Sequence, residues 1–284
     1  MHRICSVALV VLLAVQEPAS ALLVSGRIEQ GGIVFGTVDK NATVILDNRQ
    51  LSVSDRGRFV FGLDRDAKST ATVLVRYPDG QEVTEVLSVK QREWKIEYVD
   101  GLPNNTVMPD PDTTRRIRVE GGLIIAARKN TESLPFYETG FLLPAEGRIS
   151  GVFGSQRILN GQPRSPHSGL DIAGPIGTPI RATADGIVSL VHGGMVLTGK
   201  TVMIDHGFGL DSVYIHMSEI TVKEGQVIRQ GDIIGKKGMT GRTNGPHLHF
   251  GLSWYGAKLD PQTVLEALPA SFAVAPPVGE GALQ

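Results

Sequence analysis

Near its carboxyl end the chain reads N-G-P-H-L-H-F over residues 244–250. The run that starts at His247 has the composition of a β-strand, in which successive side chains alternate between the two faces. His247 and His249 are therefore expected to share one face, while Leu248 and Phe250 point to the other. The two imidazoles could bind a metal ion or act beside one. This spacing alone is a weak signal, because two surface or core histidines produce it about as often.

A second pair of metal-binding side chains lies upstream, in the run S-P-H-S-G-L-D over residues 165–171. His167 and Asp171 supply an imidazole and a carboxylate, and zinc accepts both as ligands. His216 adds another imidazole in a strand-like run. Catalytic zinc sites have three protein ligands and keep the fourth position open. The sequence therefore predicts a zinc site with additional histidines that could take part in catalysis.

The composition is that of a folded, β-rich protein. The chain has 284 residues, of which 41% are hydrophobic and 20% charged, and it includes 34 glycines and 16 prolines. Such a length is typical of about two domains, and the many turn-forming residues favour strands over helical bundles. The net charge of −1 gives no indication of a nucleic-acid partner.

Residues 1–21 have the pattern of a secretory signal peptide. A short basic start precedes an apolar run over residues 4–15, and A-S-A at 19–21 matches a cleavage site. The apolar run is shorter than the roughly 20 residues that span a bilayer. We expect a periplasmic or secreted protein with no stable membrane span after cleavage; an uncleaved anchor is the alternative. Cys5 lies inside this segment, so the mature chain would contain neither disulfides nor thiolate ligands.

Residues 22–102 are predicted to form an antiparallel β-sandwich of the Ig-like type. Short alternating runs are separated by turn signals such as D-R-G at 55–57 and P-D-G at 78–80. Trp94 and Tyr98 lie at strand spacing and are expected to enter a core. No catalytic constellation is recognisable in this stretch.

A Pro-rich linker and a helix are predicted over residues 103–140, with Asp112 or Thr113 as the helix cap. The arginines of this helix, among them Arg116 and Arg128, are expected on a solvated face; contact with an anionic wall polymer is the alternative. A second β-rich domain follows over residues 141–268. Residues 269–284 have the composition of a flexible tail.

Several motifs between residues 141 and 265 occur together in one known family. The run at 167–171 is H-x-x-x-D, the run at 214–218 is Y-x-H-x-S, and residues 245–250 read G-P-H-L-H-F. Glycine-containing corners such as Q-G-D-I-I-G at 230–235 accompany them. This region resembles the lysostaphin-type (LytM-like) zinc metallopeptidases, which cut peptides of the bacterial cell wall.

The resemblance implies a role for each matched side chain. His167, Asp171 and His249 would ligate Zn²⁺. His216 and His247 would flank the water at the fourth position as acid/base and transition-state stabiliser, and the sequence leaves open which of them is the base. No H-E-x-x-H motif is present, so histidine would take the part that glutamate plays in enzymes with that motif.

The expected function is that of a secreted zinc metalloendopeptidase acting on peptidoglycan peptides. The bond between D-alanine and a diaminopimelate-type residue is the first candidate, and glycine bridges are the second. One alternative is a non-catalytic LytM-like activator of another wall hydrolase, although such proteins have lost their zinc ligands. Another is a lipoyl- or biotinyl-type carrier, for which Lys200 would be the modified residue.

Overall fold

The computed structural model describes residues 22–100, 110–129 and 131–267. The predicted signal peptide, most of the linker and the predicted tail lie outside the described residues. The described chain is mostly β, as the sequence predicts. Neither of its α-helices is long and apolar enough to cross a membrane.

The amino-terminal region consists of two antiparallel sheets. Its strands are β1 (Leu23–Gly26), β2 (Ile33–Thr37), β3 (Thr43–Leu46), β4 (Arg49–Leu51), β5 (Arg58–Gly62), β6 (Thr70–Arg76) and β7 (Glu82–Ser88). One sheet has the order β1-β2-β5 and the other β4-β3-β6-β7. Alternation buries Ala71, Val73 and Val75 of β6 and exposes its ends. The buried residues of both sheets belong to one hydrophobic core.

The carboxyl-terminal region is built on a ten-stranded sheet with the main order β17-β14-β15-β16-β19-β12-β9. Its strands are β9 (Arg148–Gly151), β12 (Leu170–Ala173), β13 (Pro179–Arg181), β14 (Gly186–Met195), β15 (Gly199–Gly207), β16 (Leu210–Ile220), β17 (Val227–Ile228), β18 (Ile233–Lys237), β19 (His247–Trp254) and β20 (Ala257–Leu259). A smaller sheet joins β8 (Ile96–Val99), β10 (Gln156–Leu159) and β11 (Gln162–Pro163). A 3₁₀ helix (Phe136–Thr139) and α2 (Pro261–Ala267) complete this region.

Helix α1 (Pro111–Ala127) begins earlier than the sequence analysis predicted. Its cap is Asp110, whose side chain accepts hydrogen bonds from the backbone N–H groups of Asp112 and Thr113. Capping by Asp112 or Thr113 is therefore wrong. Pro111 explains the shift, because proline is favoured at the first helical position, where no N–H is needed. The helix continues through Gly121 and Gly122 in spite of their low propensity.

Helix α1 packs against the ten-stranded sheet. Ile124 and Ala127 contact the buried side chains of Leu190, Met195 and Met203. Glu120 is buried, and its carboxylate accepts the backbone N–H of Val196 at 2.8 Å. The helix is thereby held on the sheet at the edge of the β14–β15 hairpin.

The two regions meet through specific contacts. Strand β8 runs parallel to β10 and pairs with it, although β8 follows the sandwich in sequence. The ring of Trp94 packs edge-on against that of Phe153, with their centroids 5.7 Å apart, and Cζ of Arg92 lies 4.4 Å from the centroid of the Trp94 ring.

Tyr98 is 71% exposed, so its predicted place in a core is wrong. A side chain on a small sheet is buried only where another element packs over its face of the sheet. The side chain of Tyr98, on β8 of the three-stranded sheet, remains in solvent.

Candidate metal and catalytic site

Three side chains named by the sequence analysis converge on one point. Oδ1 of Asp171 lies 3.0 Å from Nε2 of His167 and 2.8 Å from Nδ1 of His249, and the two nitrogens are 3.0 Å apart. Ligand atoms of a tetrahedral zinc ion with bonds near 2.0–2.1 Å are about 3.3 Å apart. This metal-ligand group, defined as His167, Asp171 and His249, is therefore compatible in chemistry and spacing with a zinc ion.

Strand pairing brings two of these ligands together. Asp171 in β12 lies directly opposite His249 in β19 in an antiparallel register. His167 precedes β12 and approaches the pair because the chain turns at Gly169, where a Cβ atom would collide with the carbonyl oxygen of Phe250. The close packing around the ligands thus depends on a glycine at this corner.

Hydrogen bonds fix how the ligands present their lone pairs. Nδ1–H of His167 donates to the carbonyl oxygen of Val152 at 2.8 Å, which leaves Nε2 unprotonated toward the group. Burial alone would raise the pKa of Asp171, but the hydrogen bonds and positive charge that His167 and His249 supply when they are protonated hold it well below its usual range. Burial lowers the pKa of His249 and favours its neutral form. The group therefore offers an anionic carboxylate and neutral imidazoles.

His216 and His247 lie beside the metal-ligand group, with their ring centroids 4.8 Å apart. Nδ1–H of His216 donates to the carbonyl oxygen of Thr240 at 2.8 Å, and Nδ1–H of His247 donates to that of Gly245 at 2.9 Å. Both rings thus leave Nε2 available for a proton or a substrate. Nε2 of His247 is 3.7 Å from Oδ1 of Asp171. His247 is therefore close to any ion or water bound at the metal-ligand group.

The backbone at His216 is unusual for a non-glycine residue. Its φ is +62°, within the left-handed region. The strand bulges here, since Tyr214 pairs with Val202 while Met217 already pairs with Lys200. Bulges redirect side chains and are common beside active sites. This one turns the His216 imidazole toward His247.

The comparison with protein-family models matches peptidase family M23 over residues 165–261. A Pseudomonas aeruginosa crystal structure assigned to peptidase M23 is 30% identical, covers 84% of this chain and 95% of its own, and superposes with a TM-score of 0.65. The chain belongs to peptidase family M23. The predicted LytM-like resemblance is thereby confirmed.

Two curated relatives match less than half of this chain. Peptidoglycan DD-endopeptidase ShyA of Vibrio cholerae is 39% identical over 125 residues, which is 44% of this chain and 29% of the relative. DD-carboxypeptidase/endopeptidase Mpg of Neisseria meningitidis is 44% identical over 124 residues, which is 43% of this chain and 27% of the relative. The matched stretch of this M23 chain thus spans less than a third of either relative.

His206 lies apart from the M23 site and has a structural environment. It is fully buried, with Nδ1 2.6 Å from the carbonyl oxygen of Asp185 and Nε2 2.7 Å from Oγ of Ser212. Burial lowers the pKa of His206 to about 4. Its neutral ring closes a buried hydrogen-bond chain between strands β15 and β16.

Lys200 does not have the position of a carrier lysine. It lies within strand β15, and its Nζ donates to the carbonyl oxygen of Ser218 at 2.6 Å. A modifiable lysine needs a free hairpin tip. The carrier interpretation of the sequence therefore loses its candidate residue.

The solvated helix face predicted for the arginines is wrong for Arg128, which is largely buried against Asp211 at 3.1 Å. Arg116 is exposed as predicted and pairs with Glu120 at 2.7 Å. Sequence reasoning also missed Lys258, which lies near Arg128 in space. No local signal connects these two residues, because they belong to a helix end and to strand β20.

Proposed function

We propose that this M23 chain is a secreted zinc metalloendopeptidase that hydrolyses peptide bonds in peptidoglycan stem peptides or cross-links. The observation that carries the proposal is the convergence of His167, Asp171 and His249 within hydrogen-bond distances, with two further imidazoles beside them. The names of the relatives support peptidoglycan as the substrate. The amino-terminal sequence supports export to the cell envelope.

His167, Asp171 and His249 would hold the zinc ion. Two neutral imidazoles and one carboxylate leave one tetrahedral position open, as catalytic zinc sites require. When bound, zinc supplies Lewis-acid polarisation and a water that ionises near neutral pH. The carbonyl of Val152 would hold the ring of His167 in its ligating orientation.

His216 and His247 would perform the proton transfers. Each ring donates Nδ1–H to a backbone carbonyl, so Nε2 is the atom that meets substrate. A neutral Nε2 can accept the proton of the attacking water, and a protonated Nε2–H can donate to the developing oxyanion or to the departing amine. With centroids 4.8 Å apart, the two rings can serve one amide together.

The bond proposed is the one between D-alanine and a diaminopimelate-type residue. ShyA is named a DD-endopeptidase, and Mpg a DD-carboxypeptidase/endopeptidase. The bond cut by a DD-endopeptidase and the bond cut by a DD-carboxypeptidase share a chemical feature. Each has a free carboxylate on the carbon attached to the scissile nitrogen. Glycine bridges lack that carboxylate and remain the competing substrate.

A digestion experiment tests this proposal. Zinc-loaded protein is incubated with purified diderm cell wall and, separately, with wall cross-linked by glycine bridges, and the fragments are identified by mass spectrometry. We expect monomeric stem peptides from the first wall, and His167→Ala serves as the inactive control. A zinc-loaded protein that releases nothing from either wall contradicts the peptidase assignment and favours the activator alternative.

A further inference from the structure

A cavity of about 150 Å³ opens beside His249 on the face of the sheet that carries the metal-ligand group. Its floor includes Ile215 and Val213 of β16, which lie opposite His249 and Gly251 of β19. The end of α1 contributes Arg128, and β20 contributes Lys258. This inner cavity therefore joins the metal-ligand group to two cationic side chains.

Gly251 keeps the inner cavity open. A Cβ atom at this position would lie 2.9 Å from Cγ1 of Val213 and 3.8 Å from Nε2 of His249. The φ of Gly251 does not require glycine, since it is absent from the left-handed residues of the described chain. The missing side chain thus leaves room for a group of a ligand next to His249.

Arg128 has donors to spare. Its Nε donates to the carboxylate of Asp211 at 3.1 and 3.3 Å, and Ser253 also donates to that carboxylate. A guanidinium carries five N–H donors. Within the described residues, the terminal nitrogens of Arg128 have no hydrogen-bond partner. Asp211 is thus occupied, and Arg128 can still bind a second anion.

Lys258 lacks a counterion. Its backbone N–H binds the carboxylate of Asp64 at 3.2 Å, but its ammonium group forms neither a hydrogen bond nor an ion pair with any residue that the structure describes. Burial lowers the pKa of Lys258 to about 8, and the charge of Arg128 adds to the shift, while Asp211 and Asp64 oppose it. A bound anion would stabilise this half-buried cation.

We propose that Arg128 and Lys258 form the subsite for the free carboxylate attached to the carbon next to the scissile nitrogen, and that this subsite selects DD bonds over neutral glycine bridges. The inference rests on the proposed function. Three bonds separate that carboxylate carbon from the scissile carbonyl carbon, so the two lie within about 4 Å of each other. The carboxylate of a substrate whose carbonyl lies at the metal-ligand group is thus close enough to enter the inner cavity, because His249 belongs to both. Charge-assisted bonds to lysine and arginine are the recognition that a carboxylate needs.

A pair of matched substrates tests the subsite. One is a cross-linked muropeptide dimer with the free carboxylate next to the scissile nitrogen, and the other carries a primary amide there. We expect zinc-loaded wild-type protein to cleave the free acid with a kcat/KM at least tenfold higher, which is the usual range for losing one charge-assisted bond. Lys258→Gln should lower kcat/KM on the free acid and thereby reduce this ratio toward one.

Two further variants serve as controls. Lys258→Arg keeps the charge and should keep the preference for the free acid. Lys129→Gln removes a neighbouring charge that lines a larger outer cavity but not the inner one, and it should also keep the preference. Zinc content and thermal unfolding are measured for each protein.

Each outcome has a distinct meaning. Equal wild-type rates on the two dimers overturn the subsite while leaving the proposed function in place, and so does an undiminished preference in Lys258→Gln. Cleavage of neither dimer by zinc-loaded protein overturns the proposed function itself, and the subsite with it.

Discussion

Asp171 and His249 lie directly opposite each other on neighbouring antiparallel strands, with Oδ1 and Nδ1 2.8 Å apart. Two of the three candidate ligands are therefore held by a β-ladder rather than by loops. Strand-borne ligands keep their separation without a metal ion, which reduces the reorganisation needed to bind one. Only His167 depends on the turn before β12.

Removing a member of this pair should abolish zinc binding. We expect His249→Ala and Asp171→Ala to weaken zinc affinity by at least 100-fold, because each leaves two protein ligands. Competition with a chromophoric chelator measures the dissociation constant. His192→Ala is the control, since His192 lies outside the metal-ligand group, and it should bind zinc like the wild type. Unchanged zinc affinity in His249→Ala would show that the metal binds elsewhere.

His247→Ala should separate metal binding from catalysis. The variant retains His167, Asp171 and His249, so we expect full zinc content, but kcat should fall by roughly 10²–10⁴ because a proton-transfer group is lost. His216→Ala should behave in the same way. Zinc analysis and wall digestion on the same preparation check both parts. Full activity in both variants would be incompatible with the assigned roles.

Gly151→Ala should disturb the metal-ligand group without changing any ligand. A Cβ at Gly151 would overlap Oδ2 of Asp171, so the carboxylate must move. We expect zinc affinity to fall by about 10–100-fold, as for other changes that misplace a ligand. Gly245→Ala is the matched control, because its Cβ would meet no atom within 4 Å. Equal affinities in the two variants would contradict the prediction.

His206 should make the fold sensitive to acid. Its pKa is about 4 in the fold because of burial, against about 6.5 in the unfolded chain. The unfolded state therefore takes up the proton first as the pH falls, and the stabilisation present above pH 6.5 is lost progressively toward pH 4. The loss attributable to His206 is about 3 kcal/mol in the free energy of unfolding.

Asp205 acts in the opposite direction, so the measurement must isolate His206. Burial raises the pKa of Asp205 to about 6, which adds stability as the pH falls through that value. Urea unfolding of wild type and His206→Asn between pH 7.5 and 4 gives a difference in which the effect of Asp205 cancels. We expect the wild type to be more stable at pH 7.5 and this advantage to shrink by about 3 kcal/mol near pH 4. A constant difference across the range would argue against a neutral buried His206.

Local patterns predicted much of what the structure contains. Alternation and turn residues predicted a β-sandwich over residues 22–102, and strand Arg58–Gly62 follows directly after the D-R-G turn, because a half-buried strand shows its period in a few residues. The cap of α1 was misplaced by two residues or more because Asp110, Asp112 and Thr113 are all good caps, and Pro111 decides among them. The exposure of Tyr98 was missed because it depends on pairing with the distant strand β10.

The sequence by itself predicted the mostly β fold and the five candidate site side chains, because strand period and motif spacing are local properties of the chain. Only the tertiary structure decided that His167 meets His249, that a bulge turns His216 toward His247, and that Arg128 and Lys258 line one cavity beside His249. Those contacts join segments far apart in sequence. They arise from how a helix end, a hairpin and a sheet pack together, which no local period encodes.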